Sequence, residues 1–198
     1  MTPRTGNKKK GNLIILSGPS GVGKTTLRKA LQARMPGLRF SVSWTTRLKR
    51  AGETSGRDYQ YVSREQFEEQ IHSGGFLEWA RVHDASYGTP WLPIKHWLGK
   101  GADVLLDIDT QGARQVKKQV PQALTVFILP PSPKALAQRL RQRRTESLTK
   151  LRLRLKNAEK ELKEIRYFEY AVVNRDLDEA VKALETIITA ARYRINRK

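Results

Sequence analysis

The sequence predicts an α/β fold, a central parallel sheet flanked by helices, with a smaller lobe inserted early in the chain. Three observations predict it. A short apolar run, Leu13-Ile14-Ile15-Leu16, stops at a glycine-rich turn that leads into a segment with helical spacing. Further short apolar runs then alternate with amphipathic stretches, the pattern of strands joined by crossover helices. Between the second and third of these runs lies a stretch of different character, rich in charges, glycines and aromatics.

Taken in order, residues 13–16 read as a buried strand and 25–35 as a helix, with Leu27, Ala30 and Leu31 on one face. Residues 40–43, Phe-Ser-Val-Ser, read as a second strand. From Trp44 to about Pro90 short alternating pieces such as Tyr59-Gln60-Tyr61-Val62 appear, interrupted by a helix over Arg64–His72. The main sheet resumes at Val104-Leu105-Leu106-Asp107-Ile108-Asp109, followed by a helix from Thr110 and a strand over Leu124–Leu129. Pro130-Pro131-Ser132-Pro133 ends that strand and opens a helix to about residue 143; a long polar helix over 147–165 follows. Residues 170–174 form the last strand. The final helix carries Leu177, Ala180, Val181, Leu184, Ile187, Ile188 and Ala191 on the face that packs on the sheet.

The chain of 198 residues suits one core. Its 38 Lys+Arg against 19 Asp+Glu give a formal charge of +19, which raises the question of nucleic acid. The excess is concentrated in 134–166 and forms no nucleic-acid motif, so contact with DNA or RNA is expected to be nonspecific and salt-sensitive. No window reaches the roughly 20 apolar residues of a membrane span, and no membrane partner is expected. Residues 1–12 are polar and basic, without the apolar core of a secretory signal; they read as a flexible tail, and the cytoplasm is the expected compartment. Cysteine is absent, which excludes disulfides and thiolate metal sites. His72, His83 and His96 have no ligand spacing.

Gly18-Pro19-Ser20-Gly21-Val22-Gly23-Lys24-Thr25 fits G-x-x-x-x-G-K-[ST] and sits between a strand and a helix, as its mechanism requires. Such a loop curls so that backbone N–H groups face phosphate oxygens. The helix N-terminus adds its dipole. Lys24 is placed to reach the β- and γ-phosphates, and Thr25 to ligate Mg²⁺. The loop implies a nucleoside triphosphate and leaves the acceptor open. Any Mg²⁺ is expected to arrive with that nucleotide, because the side chains alone encode no metal cage.

The acceptor is suggested by a set of motifs. They are Ser41-Val42-Ser43-Trp44-Thr45-Thr46-Arg47-Leu48-Lys49-Arg50-Ala51-Gly52-Glu53, Gly56-Arg57-Asp58-Tyr59, Phe76-Leu77-Glu78-Trp79-Ala80, Tyr87-Gly88-Thr89 and Leu106-Asp107-Ile108-Asp109 with Gln111-Gly112. Arg47 and Arg50 could clamp one phosphate, with Tyr59 and Tyr87 donating hydroxyls to it. In this combination and order the chain resembles guanylate kinase, from about Leu13 to Ala191. The resemblance implies a P-loop kinase fold with a GMP-binding lobe over 44–90 and a helical lid over about 134–165. The core is then left to 13–43, 91–133 and 166–198. It implies phosphoryl transfer from ATP to GMP, in purine nucleotide metabolism, with Mg²⁺ as cofactor and dGMP as an alternative acceptor.

The resemblance also distributes roles. Arg47, Arg50, Tyr59 and Tyr87 hold the GMP phosphate, and Glu78, Ser43, Thr89 and Asp109 hold its guanosine. A carboxylate at Glu78 can accept both the N1–H and N2–H₂ of guanine, whereas adenine offers an acceptor at N1. Thr26 and Asn174 join the phosphate loop at the ATP site, and Asp107 organises the metal, directly or through water. Arg139, Arg143 and Arg154 are implied to act on the transferring group from the lid. The chain departs from the family pattern at Arg144, where glycine is usual. It departs again at Leu148-Thr149 and Arg175, where acids are common, and at Asp84-Ala85-Ser86. Two other readings share part of the pattern. A scaffold domain that had lost catalysis would be expected to damage the loop or the clamp, and a ribose bisphosphate phosphokinase would not need Glu78 or the Leu106-Asp107-Ile108-Asp109 run.

Overall fold

The structure, a computed structural model, describes residues 10–82, 84–141 and 148–194. Most of the expected basic tail, together with His83, Arg143 and Arg144, lies outside the described residues.

Five parallel strands form the main sheet in the order β2-β7-β1-β8-β9. β1 (Leu13–Ser17) is its centre, paired with β7 (Val104–Asp107) and β8 (Leu124–Leu129). β2 (Arg39–Phe40) and β9 (Tyr170–Val173) are the edges. Because β1 is covered on both faces, all five of its residues are buried. Ile14 and Leu16 face a cluster with Leu27 and Leu31 of α1 (Lys24–Arg34) and Val181, Leu184 and Ile188 of α7 (Leu177–Ala191). Leu13 and Ile15 face the opposite cluster, with Ile94 of α3 (Trp91–Gly99) and Ala113 and Val116 of α4 (Thr110–Gln119). The result is the three-layer α/β sandwich that the strand–helix alternation predicts.

A second sheet of four strands, ordered β4-β3-β6-β5, is built entirely from Trp44 to Pro90. It contains β3 (Trp44–Thr45), β4 (Gln60–Tyr61), β5 (Phe76–Val82) and β6 (Ala85–Pro90), with α2 (Arg64–His72) against it. Phe67 of α2 and Trp44 both pack on Phe76, at ring separations of 4.6 and 5.8 Å. The single strand expected over 40–43 does not form. Phe40 pairs with Leu105 in the main sheet, while Trp44 pairs with Gly88 and Gln60 in the second. The chain changes sheets within that run, so its two halves answer to different partners.

After β8 come α5 (Pro133–Arg141) and α6 (Leu148–Leu162), then a 3₁₀ turn, Lys163–Tyr167. The long polar helix therefore gives up α geometry at Leu162. α5 and α6 share a small cluster of Leu136, Leu140 and Ala158. Among the described residues no helix is long and apolar enough to cross a membrane.

Candidate active site

β1 ends at Ser17 and α1 starts at Lys24, so Gly18 to Gly23 turn over the carboxyl end of the central strand. That end is where open α/β sheets receive ligands. Gly18 has φ 142°, and a Cβ on it would lie 2.5 Å from the Ile128 carbonyl oxygen. The turn therefore needs glycine both for conformation and for the close approach of β8. Lys24 Nζ donates to the Gly18 carbonyl at 2.7 Å, spanning the loop. Thr25 and Thr26 are exposed in the first turn of α1.

Two residues expected at the nucleotide act on the loop itself. Asn174, at the end of β9, is buried, and its Nδ2 donates to the Val22 carbonyl at 2.8 Å. Arg139 Nη1 donates to the same carbonyl at 2.9 Å, and its Nη2 donates to the Asn174 carbonyl at 3.0 Å. The Arg139 guanidinium thus rests on two backbone carbonyls, one of them in the loop itself. Arg154 is half-buried on α6, and Arg143 lies outside the described residues.

Asp107 closes β7, next to the loop-bearing strand. Burial pushes its carboxyl above the ordinary range, and the nearby Lys24 and Arg28 cations pull it back. Asp109 caps α4, its Oδ1 accepting from the Gly112 N–H at 2.7 Å. Among the described residues no group of three His, Cys, Asp or Glu could hold a metal. A hydroxyl at Thr25 and a single carboxylate at Asp107 do fit Mg²⁺, which keeps waters and takes oxygens from phosphates.

Three of the four residues expected at an acceptor phosphate, Arg47, Tyr59 and Tyr87, are neighbours. The Arg47 guanidinium makes a two-pronged pair with Glu53, at 2.8 and 2.6 Å, and Nη1 also donates to the Leu48 carbonyl. That leaves the Nε side of the fork for another ligand. Tyr61 donates its hydroxyl to Glu53 at 2.6 Å, and the Arg50 backbone N–H does so at 2.9 Å. The Arg47 pair, with these bonds, holds the Glu53 carboxyl down at about 2. Arg47 also stands over the Tyr59 ring, whose centre is 6.0 Å from that of Tyr87. Arg47, Tyr59 and Tyr87 are thus brought together; Arg50 is exposed on the same loop. Glu53 and Tyr61 were not singled out from sequence. The only available signal was an acid six residues after an arginine, which by itself is common on surfaces.

Glu78 is the other focus. Phe76, Leu77 and Glu78 are all buried, which a strand covered on one face alone would not allow. A register shift between Phe76 and Glu78 makes it possible, because a bulge re-aims the side chain. Thr89, directly across on β6, donates to Glu78 Oε1 at 2.5 Å, and Ser43 Oγ is 3.5 Å from Thr89 Oγ1. The far side is set by Gly112. A Cβ there would be 2.7 Å from Glu78 Oε2 and 3.4 Å from Asp109 Oδ1. The absence of a side chain lets the second sheet's carboxylate meet the start of α4. Burial raises the Glu78 carboxyl to about 7, the Thr89 bond opposing and the Asp109 charge adding to it. Ser43, Glu78, Thr89 and Asp109 are therefore neighbours in one acceptor-rich cluster.

Comparison with known proteins agrees with this geometry. The sequence model of the family described as Guanylate kinase matches residues 10–191. A guanylate kinase of Symbiobacterium thermophilum is 48% identical over 188 residues, 95% of this chain and 89% of that protein. One from Caldanaerobacter subterraneus subsp. tengcongensis is 45% identical over 190 residues, 96% of this chain and 92% of that protein. The crystal structure of guanylate kinase from Anaplasma phagocytophilum superposes with a TM-score of 0.79 at 32% identity, covering 94% of this chain and 89% of that one. A shikimate kinase from Bacteroides thetaiotaomicron shares the fold alone, at TM-score 0.50 and 18% identity.

Proposed function

The chain belongs to the guanylate kinase family, and from that premise we propose how its residues divide the work of an ATP:GMP phosphotransfer. The γ-phosphoryl group of ATP passes to the phosphate of GMP, giving ADP and GDP. The main sheet and its loop take ATP, the second sheet takes GMP, and α5 and α6 cover the junction. The observation that carries the acceptor assignment is the buried Glu78 carboxylate between Thr89 and Gly112.

In this reading Glu78 accepts the N1–H and N2–H₂ of guanine, Ser43 donates to O6, Thr89 orients the Glu78 carboxylate to which it donates, and the second oxygen of Asp109 adds an acceptor. Adenine would set a lone pair against the Glu78 charge. The Nε edge of Arg47, held by Glu53, binds the GMP phosphate with Arg50, Tyr59 and Tyr87. The loop amides and Lys24 hold the ATP phosphates, while Asn174 and Arg139 keep the loop in shape from behind. Mg²⁺, held by Thr25 and by Asp107, directly or through water, would neutralise charge on the phosphate oxygens. Arg143 and Arg154 would complete the positive lining from the lid. GMP is the proposed acceptor, with dGMP a second one, since no ribose-reading residue is assigned.

Glu78→Gln is expected to lower kcat/KM for GMP by about 1.5–3 kcal/mol, the range of a charge-assisted hydrogen bond. An unchanged ratio of GMP to AMP turnover would remove Glu78 from base recognition. The raised carboxyl adds a pH signature. With its proton leaving near pH 7, Glu78 is largely neutral below that and must ionise to accept both guanine donors. GMP affinity should therefore rise with pH through about 7, and binding at pH 7 should release a proton from Glu78. Calorimetry in buffers of different ionisation enthalpy reads this release. Glu78→Gln should lose that part of it, leaving only the contribution of the GMP phosphate.

A further inference from the structure

We propose that Glu161 is a built-in competitor for the phosphate loop, its carboxylate holding the Ser20 amide that a nucleotide phosphate must take over. The proposal rests on reading Gly18 to Thr25 as the ATP loop, and goes beyond it in giving a residue of α6 a role in nucleotide exchange.

Ser20 donates its backbone N–H to Glu161 Oε2 at 3.1 Å, across 141 residues of sequence. Ser20 is the third residue of the motif whose amides cradle phosphate. A carboxylate offers that amide what a phosphate offers, a charged oxygen acceptor, and one N–H cannot be given fully to both. The Lys24 ammonium in the loop favours its charged form, and the Asp109 carboxylate at the start of α4 opposes it. Burial is the largest influence on it and pushes its pKa upward. Lys24 Nζ itself donates to the Gly18 carbonyl, within the same loop.

The rest of α6 makes the contact mechanical. Ala158, one helical turn before Glu161, is buried against Leu136 and Leu140 of α5. α5 in turn carries Arg139, which holds the Val22 carbonyl of the same loop. Withdrawal of Glu161 by an arriving phosphate is therefore felt by the packed α5–α6 pair. Its return would help expel ADP after transfer.

The test measures binding of ATP, ADP and adenosine to the full chain by calorimetry, for the wild type, Glu161→Gln and Glu161→Ala. Glu159→Gln, an exposed position on the same helix, controls for the loss of one negative charge. Both Glu161 variants should bind ATP and ADP tighter, Glu161→Ala by about tenfold, the low end for a charge-assisted hydrogen bond. Adenosine, which has no phosphate, should be unaffected, and Glu159→Gln should change little. Weaker ATP and ADP binding in the Glu161 variants would overturn the proposal and make Glu161 a buttress of the loop. Unchanged affinity, or a gain equal to that of Glu159→Gln, would overturn it as well. If Glu161→Ala fails to fold, the near-isosteric Glu161→Gln carries the same comparison. Lys24→Ala separates the two levels of the argument. Loss of ATP affinity there, with no gain in the Glu161 variants, would keep the loop assignment and discard the competition.

Discussion

Lys24→Ala is expected to abolish phosphoryl transfer, by about a thousandfold or more, the upper range for removing one donor that stabilises transition-state charge. Lys24 stands at the first position of α1, where its ammonium combines with the helix dipole and the loop amides. Its only hydrogen bond among the described contacts is to the Gly18 carbonyl, within the loop. The side chain contributes to no core cluster, so the variant should fold. Single-turnover transfer with both nucleotides saturating reads the chemical step directly. A folded variant with near-native rate would refute the assignment of this loop.

The second large effect is expected at Arg47. Arg47→Ala removes a charged fork from the proposed GMP phosphate and leaves Glu53, mostly buried, without its cation. A loss of about 2–3 kcal/mol in kcat/KM for GMP is expected, within the range of charge-assisted hydrogen bonds, with KM for ATP little changed. Glu53→Gln should give a smaller loss of the same kind, because the guanidinium remains but is held less firmly. The two sites should also differ in pH dependence. Glu53 has its carboxyl held at about 2, so it stays ionised at every pH useful for kinetics, and the Arg47 effect should be flat with pH. The Glu78 effect should vary through about 7. If Glu53→Gln matches wild type while Arg47→Ala does not, Glu53 has no part in positioning the arginine.

Elements whose signals are local were readable in the sequence. α2 runs over Arg64–His72 as expected because Ser63 and Gln66 form a capping box at its start. β8 was legible as Leu124–Leu129 because a fully buried strand needs an unbroken apolar run, and Pro130 ends it. The hairpin of β5 and β6 was not legible. Its buried Phe76-Leu77-Glu78 has no alternation, and its tip includes Asp84 where the family pattern fails. The expected strand over 40–43 failed for a related reason: four consecutive residues serve two sheets, and nothing local marks the change.

The site followed the same division. The loop and Glu78 could be named from motifs, because their chemistry depends on residue type and spacing. What holds them could not. Glu53 and Glu161 act through partners brought close only by folding, and the hydrogen bonds of Asn174 and Arg139, both expected at the nucleotide, to the Val22 carbonyl are equally products of the fold.

The most direct test is ADP formation by the wild-type chain with ATP, Mg²⁺ and one acceptor at a time, GMP, AMP, CMP or UMP, in a coupled assay. The account predicts rapid turnover with GMP, little with the other three, and coupling of each ADP to one GDP. Equal turnover with AMP, or ADP release without an acceptor, would contradict it.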